Sequence, residues 1–199
     1  MPEPNLPTGF VAALRDLTRW LDAERAPYVL IGGVSVSLLA QPRATQDIDL
    51  TVWIEQEHWD DFLRVGESFG FTPRLSDALA FAAASRALLL RHQPSGVSVD
   101  LAFGSLEFER EMIARAATCE IAGLKLKLPT FEDLIITKAV AQRPKDIADI
   151  ESVLAACKSL DVNRVRRLTA EFSAALDAPE ISDNLERLLR HYRLTDGKS

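Results

Sequence analysis

The stretch from residue 28 to residue 54 constrains this chain more than any other. Tyr28-Val29-Leu30-Ile31 is an apolar run of strand length, Gly32-Gly33 stops it, and Val34 to Leu39 can start a helix at once, with Pro42 to end it. The next segment alternates. Ile48, Leu50, Val52 and Ile54 fall on one face of a strand, and Asp47, Asp49, Thr51 and Trp53 fall on the other. Strand, glycine pair, helix, and then a strand with two acids on one face require a sheet whose second face is polar where those acids emerge.

The remaining periodicities fill out the architecture. Phe10, Val11, Leu14, Leu17, Trp20 and Leu21 predict an amphipathic helix over 8–25, and Trp59, Phe62, Leu63 and Val65 predict another over 56–68. An Ala-rich helix is expected at 76–86. Ala87–His92 and Val97–Phe103, joined by Gln93-Pro94-Ser95-Gly96, read as a hairpin whose second strand sets Asp100 opposite Val99, Leu101 and Phe103. From Leu106 the chain reads mostly helical, with short strands near 118–121 and 124–128 and helices at about 130–141, 144–157, 162–175 and 180–193. Pro129-Thr130 and Arg143-Pro144 open two of these helices, and Asp161 is placed to cap a third. The expected class is α/β (α+β). A small mixed sheet flanked by helices spans 1–128, and a helical part spanning 129–199 packs on it.

Composition narrows the function classes. With 199 residues, 47% hydrophobic and 26% charged, the chain is long enough to bury a sizeable core. No apolar run approaches the ~20 residues that cross a bilayer, and Met1-Pro-Glu-Pro-Asn lacks the regions of a signal peptide. A cytoplasmic protein with no membrane partner is expected. Cys119 and Cys157 are too few for a disulfide framework or a zinc site and read as buried small apolar residues. A net charge of −6 argues against a general nucleic-acid coat. Arg164, Arg166 and Arg167 form the densest basic cluster, read either as a solvated helix face or as an RNA contact. His58, His92 and His191 show no ligand spacing.

The acids carry the chemistry. Asp47 and Asp49 project from one face at about 6–7 Å, where bare carboxylates repel and where Asp is disfavoured. A divalent cation resolves that repulsion, and oxygen-only ligands suit Mg²⁺ or Mn²⁺ with phosphates completing the shell. If its strand lies beside theirs, Asp100 adds a third carboxylate. Three acids can hold two metals for an in-line nucleotidyl transfer. Gly32, Gly33 and the helix start supply backbone N–H groups where a phosphate binds, and Ser35 adds a hydroxyl. Lys138 sits at the edge of an apolar helix face, where it either snorkels or meets an anion, and a triphosphate is the favoured one. Asp146 lies in a first helical turn where an acid is favoured, and Lys145–Asp149 has i,i+4 spacing.

Tyr28 through Gly32-Gly33-Val34-Ser35 to Leu39, followed by Arg43-Ala44-Thr45-Gln46-Asp47-Ile48-Asp49-Leu50, resembles the first motif of the DNA-polymerase-beta-like nucleotidyltransferases. Thr130-Phe131-Glu132-Asp133-Leu134-Ile135-Ile136-Thr137-Lys138 and Arg143-Pro144-Lys145-Asp146-Ile147-Ala148-Asp149-Ile150 are similar to the AbiEii/AbiGii-type enzymes, many of them toxins of bacterial toxin–antitoxin systems. The resemblance implies a sheet of the polymerase-beta type, metal ligation by Asp47, Asp49 and Asp100, and nucleotide contacts from Lys138, Lys145 and Asp146. Arg43 and Thr45 would order the loop or touch substrate. The superfamily often has Gly-Ser where this chain has Gly32-Gly33, which moves the serine's contact to backbone or to Ser35. The implied activity transfers a nucleoside monophosphate from an NTP to a hydroxyl of RNA, a tRNA 3′ end, and the implied partner is an antitoxin. Protein NMPylation and a non-catalytic nucleotide-binding module of the same fold are the alternatives.

Overall fold

The computed structural model describes residues 6–41, 45–157 and 159–192. Pro42 and Arg43, assigned above to a helix end and a substrate loop, lie outside the described residues. The chain divides into two compact units, one formed by residues 1–35 and 43–129, the other by 36–42 and 130–199.

The first unit carries α1 (Thr8–Ala23), β1 (Tyr28–Ile31), the start of α2 (Gly32–Leu39), β2 (Asp47–Val52), α3 (Trp59–Ser68), β3 (Phe71–Pro73), α4 (Ala78–Ser85), β4 (Ala87–His92), β5 (Ser98–Phe103), α5 (Glu107–Arg115), β6 (Ala117–Ile121) and β7 (Leu124–Leu128). Its five-stranded sheet runs β1-β2-β5-β4-β3, and β6 and β7 form a separate pair. The β2–β5 pairing is parallel and its neighbours are antiparallel, so the sheet is mixed as expected. The one strand the periodicity misses is β3, which has three residues and ends in proline, too few to show alternation. The helix expected from 56 begins as a 3₁₀ turn, Gln56–His58, before α3.

In-register partners share a face. One row runs Leu30, Leu50, Leu101, Leu88 and a second runs Ile48, Val99, Leu90, all of them buried. Each such aliphatic side chain contributes about 1.5–3 kcal/mol when fully buried. Trp20 of α1 stacks on Phe62 and Phe71, with centroids 4.3 and 5.4 Å away, and its indole N–H donates to the Phe62 carbonyl at 3.1 Å. Trp59 stacks on Phe103 at 3.9 Å. His92 is fully buried between the Ser95 hydroxyl at 2.7 Å and the Asp16 carboxylate at 3.2 Å, which ties the β4–β5 turn to α1. Cys119 and Cys157 are half-buried rather than enclosed: Cys119 lies midway along β6 of the two-stranded pair, and Cys157 follows the end of α7.

The second unit holds α6 (Phe131–Ala141), α7 (Pro144–Ala156), α8 (Val162–Ala175) and α9 (Glu180–His191). The Thr130 hydroxyl caps α6 by accepting from the Asp133 N–H at 3.1 Å, and Asp161 caps α8 by accepting from the Arg164 N–H at 2.9 Å. Leu134, Ile135, Ile136, Ile150, Val153, Val165 and Leu189 form its core. Among the described residues, no helix is long and apolar enough to cross a membrane.

The Trp20 cluster yields a stability prediction. A Cβ at Gly66 would stand 2.5 Å from Trp20 Cζ2, on a ring held by two stacks and a hydrogen bond. Gly66→Ala gains up to about 1 kcal/mol of helix propensity, but overpacking costs about 1–3 kcal/mol. A net loss is expected in urea unfolding.

Candidate functional site

Three of the expected acids meet on one face of the sheet. Parallel pairing of β2 and β5 puts Asp49 directly opposite Asp100, and Asp47 lies one pleat further along beside Ser98. Asp47 is exposed and Asp49 half-buried, while the Asp100 side chain keeps 43% of its exposure. The Asp100 carboxyl is pushed above its ordinary range by burial and by the charge of Asp47, against the pull of Arg74. The Thr45 hydroxyl donates to the Asp47 carbonyl at 3.1 Å and orders the chain as it enters β2.

The glycine turn is built against these acids. Gly32 has φ +66°, the left-handed region open to glycine, and any Cβ there would fall inside the Asp49 carboxylate. The carboxylate therefore occupies the space a side chain would fill. Gly33 is buried, and Ser35 is fully buried with its hydroxyl donating to the Leu30 carbonyl at 2.9 Å. That bond closes the strand-to-helix turn and leaves the Ser35 N–H, with those of the glycines, at the start of α2.

A divalent cation suits the chemistry of the acids, since Asp49 and Asp100 present carboxylate oxygens in register and Asp47 lies one pleat along, beside a turn with backbone N–H groups. Among the described residues, no group of three His, Cys, Asp or Glu stands ready to hold an ion. Arg74 forms an ion pair with Asp100. Sequence reasoning missed Arg74. It follows a three-residue strand, lies 26 positions from its partner, and has no periodicity to mark it.

Lys138 and Asp146 belong to a second constellation, inside the helical unit. The Lys138 ammonium is 4% exposed and donates to Asp146 at 3.0 Å and to Asp149 at 2.7 Å. Asp146 also accepts from the Arg143 side chain at 2.6 Å and from the Arg143 backbone N–H at 3.2 Å. Burial works to raise the Asp146 carboxyl, but the hydrogen bonds and charges of Arg143 and Lys138 together hold it below its ordinary range. Lys145 is exposed.

Residues 11–193 match the family described as nucleotidyltransferase of unknown function (DUF6036). The chain belongs to that family. This nucleotidyltransferase is also similar in structure to antibiotic-resistance factor ANT(2'')-Ia, at 19% identity over 94% of this chain and 100% of that one, with a TM-score of 0.60. The lincomycin-bound lincosamide antibiotic adenylyltransferase LnuA is 15% identical over 77% of this chain and 99% of its own, at a TM-score of 0.54. An antigenic nucleotidyltransferase-like protein from Paracoccidioides brasiliensis is 19% identical over 89% and 91%, also at 0.54. At these identities the likeness establishes a shared fold. No curated protein matches the enzyme in sequence.

The geometry of the enzyme makes three predictions. Gly32→Ala should lower stability in chemical unfolding, because its Cβ would fall inside the Asp49 carboxylate and its backbone is left-handed. Lys138→Ala leaves two buried carboxylates without their ammonium and should cost about 3–5 kcal/mol in chemical unfolding. The sign of the pH effect follows from Asp146, whose folded carboxyl lies below the ordinary 3.8. Its stabilisation is fully present above that value and is lost as pH falls through the folded one. Asp146→Asn should flatten this acid limb of stability.

Proposed function

We propose that the enzyme transfers a nucleoside monophosphate from an NTP to a hydroxyl with Mg²⁺ or Mn²⁺ at Asp47, Asp49 and Asp100. The observation that carries this reading is the register of Asp49 against Asp100 beside the Gly32 turn. When bound, the cation neutralises the triphosphate and activates the attacking oxygen. The N–H groups of Gly32, Gly33 and Ser35 at the start of α2 cradle the phosphates. The hydroxyl oxygen bonds to the α-phosphorus as the bond to pyrophosphate breaks. Asp100, level with Asp49 on the same face of the sheet, is placed to accept the hydroxyl's proton. The AbiEii/AbiGii resemblance supports nucleotide contacts from Lys138, Lys145 and Asp146, and a phosphate contact from Lys138 requires it to exchange its carboxylate partners.

The same resemblance supports RNA, a tRNA 3′ end, as acceptor, with the enzyme as a toxin in the cytoplasm and an antitoxin as its partner. One observation favours a second reading, a small hydroxylated molecule. The basic cluster of α8 is largely turned to pairs within the helical unit, Arg164 with Asp133 and Arg166 with Glu186, which leaves Arg167 exposed beside Glu171. A backbone-binding RNA surface needs cations turned outward. ANT(2'')-Ia and LnuA, with antibiotic-directed roles, lend this reading support.

Labelled NTPs with Mg²⁺ are to be incubated with total RNA, with hydroxylated antibiotics, and with the enzyme alone. Metal-dependent turnover is expected. Asp49→Asn should lower it about 100-fold or more, because several kcal/mol of charge stabilisation is lost. Label on the enzyme alone would select protein NMPylation, and turnover unchanged in Asp49→Asn would reject the site.

A further inference from the structure

Arg74 lies on the same sheet row as the acids. Its backbone N–H donates to the Leu89 carbonyl at 2.9 Å, which extends the β3–β4 ladder one residue past Pro73. Leu89 stands opposite Asp100, and Asp100 opposite Asp49. The row therefore reads Arg74, Leu89, Asp100, Asp49, and residues in one row share a face. Adjacent strands are about 4.8 Å apart, so the guanidinium must reach across the Leu89 strand, about two spacings, to pair with Asp100. An arginine side chain spans that distance.

The pair is open to exchange. The Arg74 and Asp100 side chains are 29% and 43% exposed, so water competes for both ends. Exposed ion pairs of this kind hold weakly. Asp100 also faces Asp49 at the same level of the sheet. An arginine guanidinium that leaves a carboxylate has a ready alternative in phosphate oxygens, which it grips in the same bidentate geometry.

We propose that Arg74 is the exchangeable counter-cation of the acid cluster: it neutralises Asp100 until a divalent cation takes the carboxylate, then turns to the phosphates of the nucleotide. This rests on the metal-and-triphosphate reading above. It makes Arg74 both a competitor of the bare metal and a ligand of the loaded nucleotide, two effects of opposite sign.

Mn²⁺ binding to the full chain is measured by electron paramagnetic resonance, first without phosphate and then with tripolyphosphate at saturating Mn²⁺. Arg74→Gln should bind Mn²⁺ alone up to about fivefold tighter, the size an exposed ion pair allows, and should bind tripolyphosphate more weakly than the unmodified chain. Arg74→Lys, which keeps the charge and loses the fork, should fall between the two on both measures. A residue that only supports the fold would weaken both affinities together, and that result overturns the proposal. So does an Mn²⁺ affinity unchanged in Arg74→Gln. Asp49→Asn separates the two levels of inference. Mn²⁺ binding that ignores Asp49 removes the metal site itself. Binding that needs Asp49 but ignores Arg74 removes the role of Arg74 alone.

Discussion

The parallel pairing of β2 with β5 places two carboxylates at one level of the sheet, and the first unit is built around that placement. Like charges directly opposite each other on neighbouring strands destabilise a sheet by about 0.2–1 kcal/mol. The other face of the same two strands buries Ile48, Leu50, Val99 and Leu101, each worth about 1.5–3 kcal/mol. Burial wins by a wide margin, so the apolar register forces the acids together. The Gly32 turn adds a second constraint. Its left-handed backbone and missing Cβ bring the start of α2 against Asp49, which a residue with a side chain could not do.

The helical unit solves the opposite problem, keeping charges away from water without leaving them alone. Asp133, Lys138, Asp146 and Asp149 are buried there. Each carboxylate has a named cation: Arg164 for Asp133, Lys138 and Arg143 for Asp146, and Lys138 for Asp149. Desolvating an ion costs several kcal/mol unless its partners are in place, so these pairs fix the α6–α7 turn and the docking of α8. The left-handed Gln142 at φ 54° makes that turn, and its side-chain oxygen accepts from Asn184 at 2.5 Å.

Local pattern in the sequence was enough for most elements. Alternation in Asp47–Val52 and Ser98–Phe103 marked the polar face, and the spacing of apolar residues marked α1, α3 and the C-terminal helices to within a few positions. The register that sets Asp49 against Asp100 was not legible, because it depends on how β5 docks on β2, 51 positions later in the case of this pair. Arg74 was hidden for a related reason: a three-residue edge strand has no period, and its partner lies two strands away. Lys138 was half legible. Its place at the edge of an apolar face announced an anionic partner, but the two carboxylates that meet it come from the next helix, across a turn that Gln142 makes without glycine.

Burial also ranks Lys138 and Arg74 by how readily each can change partner. Removing one partner from a buried, hydrogen-bonded pair costs about 3–5 kcal/mol, and Lys138 at 4% exposure holds two such partners. An exposed pair is worth about 0–1 kcal/mol, which is the class of Arg74 with Asp100. Parting Lys138 from its carboxylates therefore costs the larger figure, whereas Arg74 leaves Asp100 at little cost. The same difference explains their places in the fold. The lysine is locked where its charge maintains α6 and α7, and the arginine stands at an open strand end where its charge can change partners.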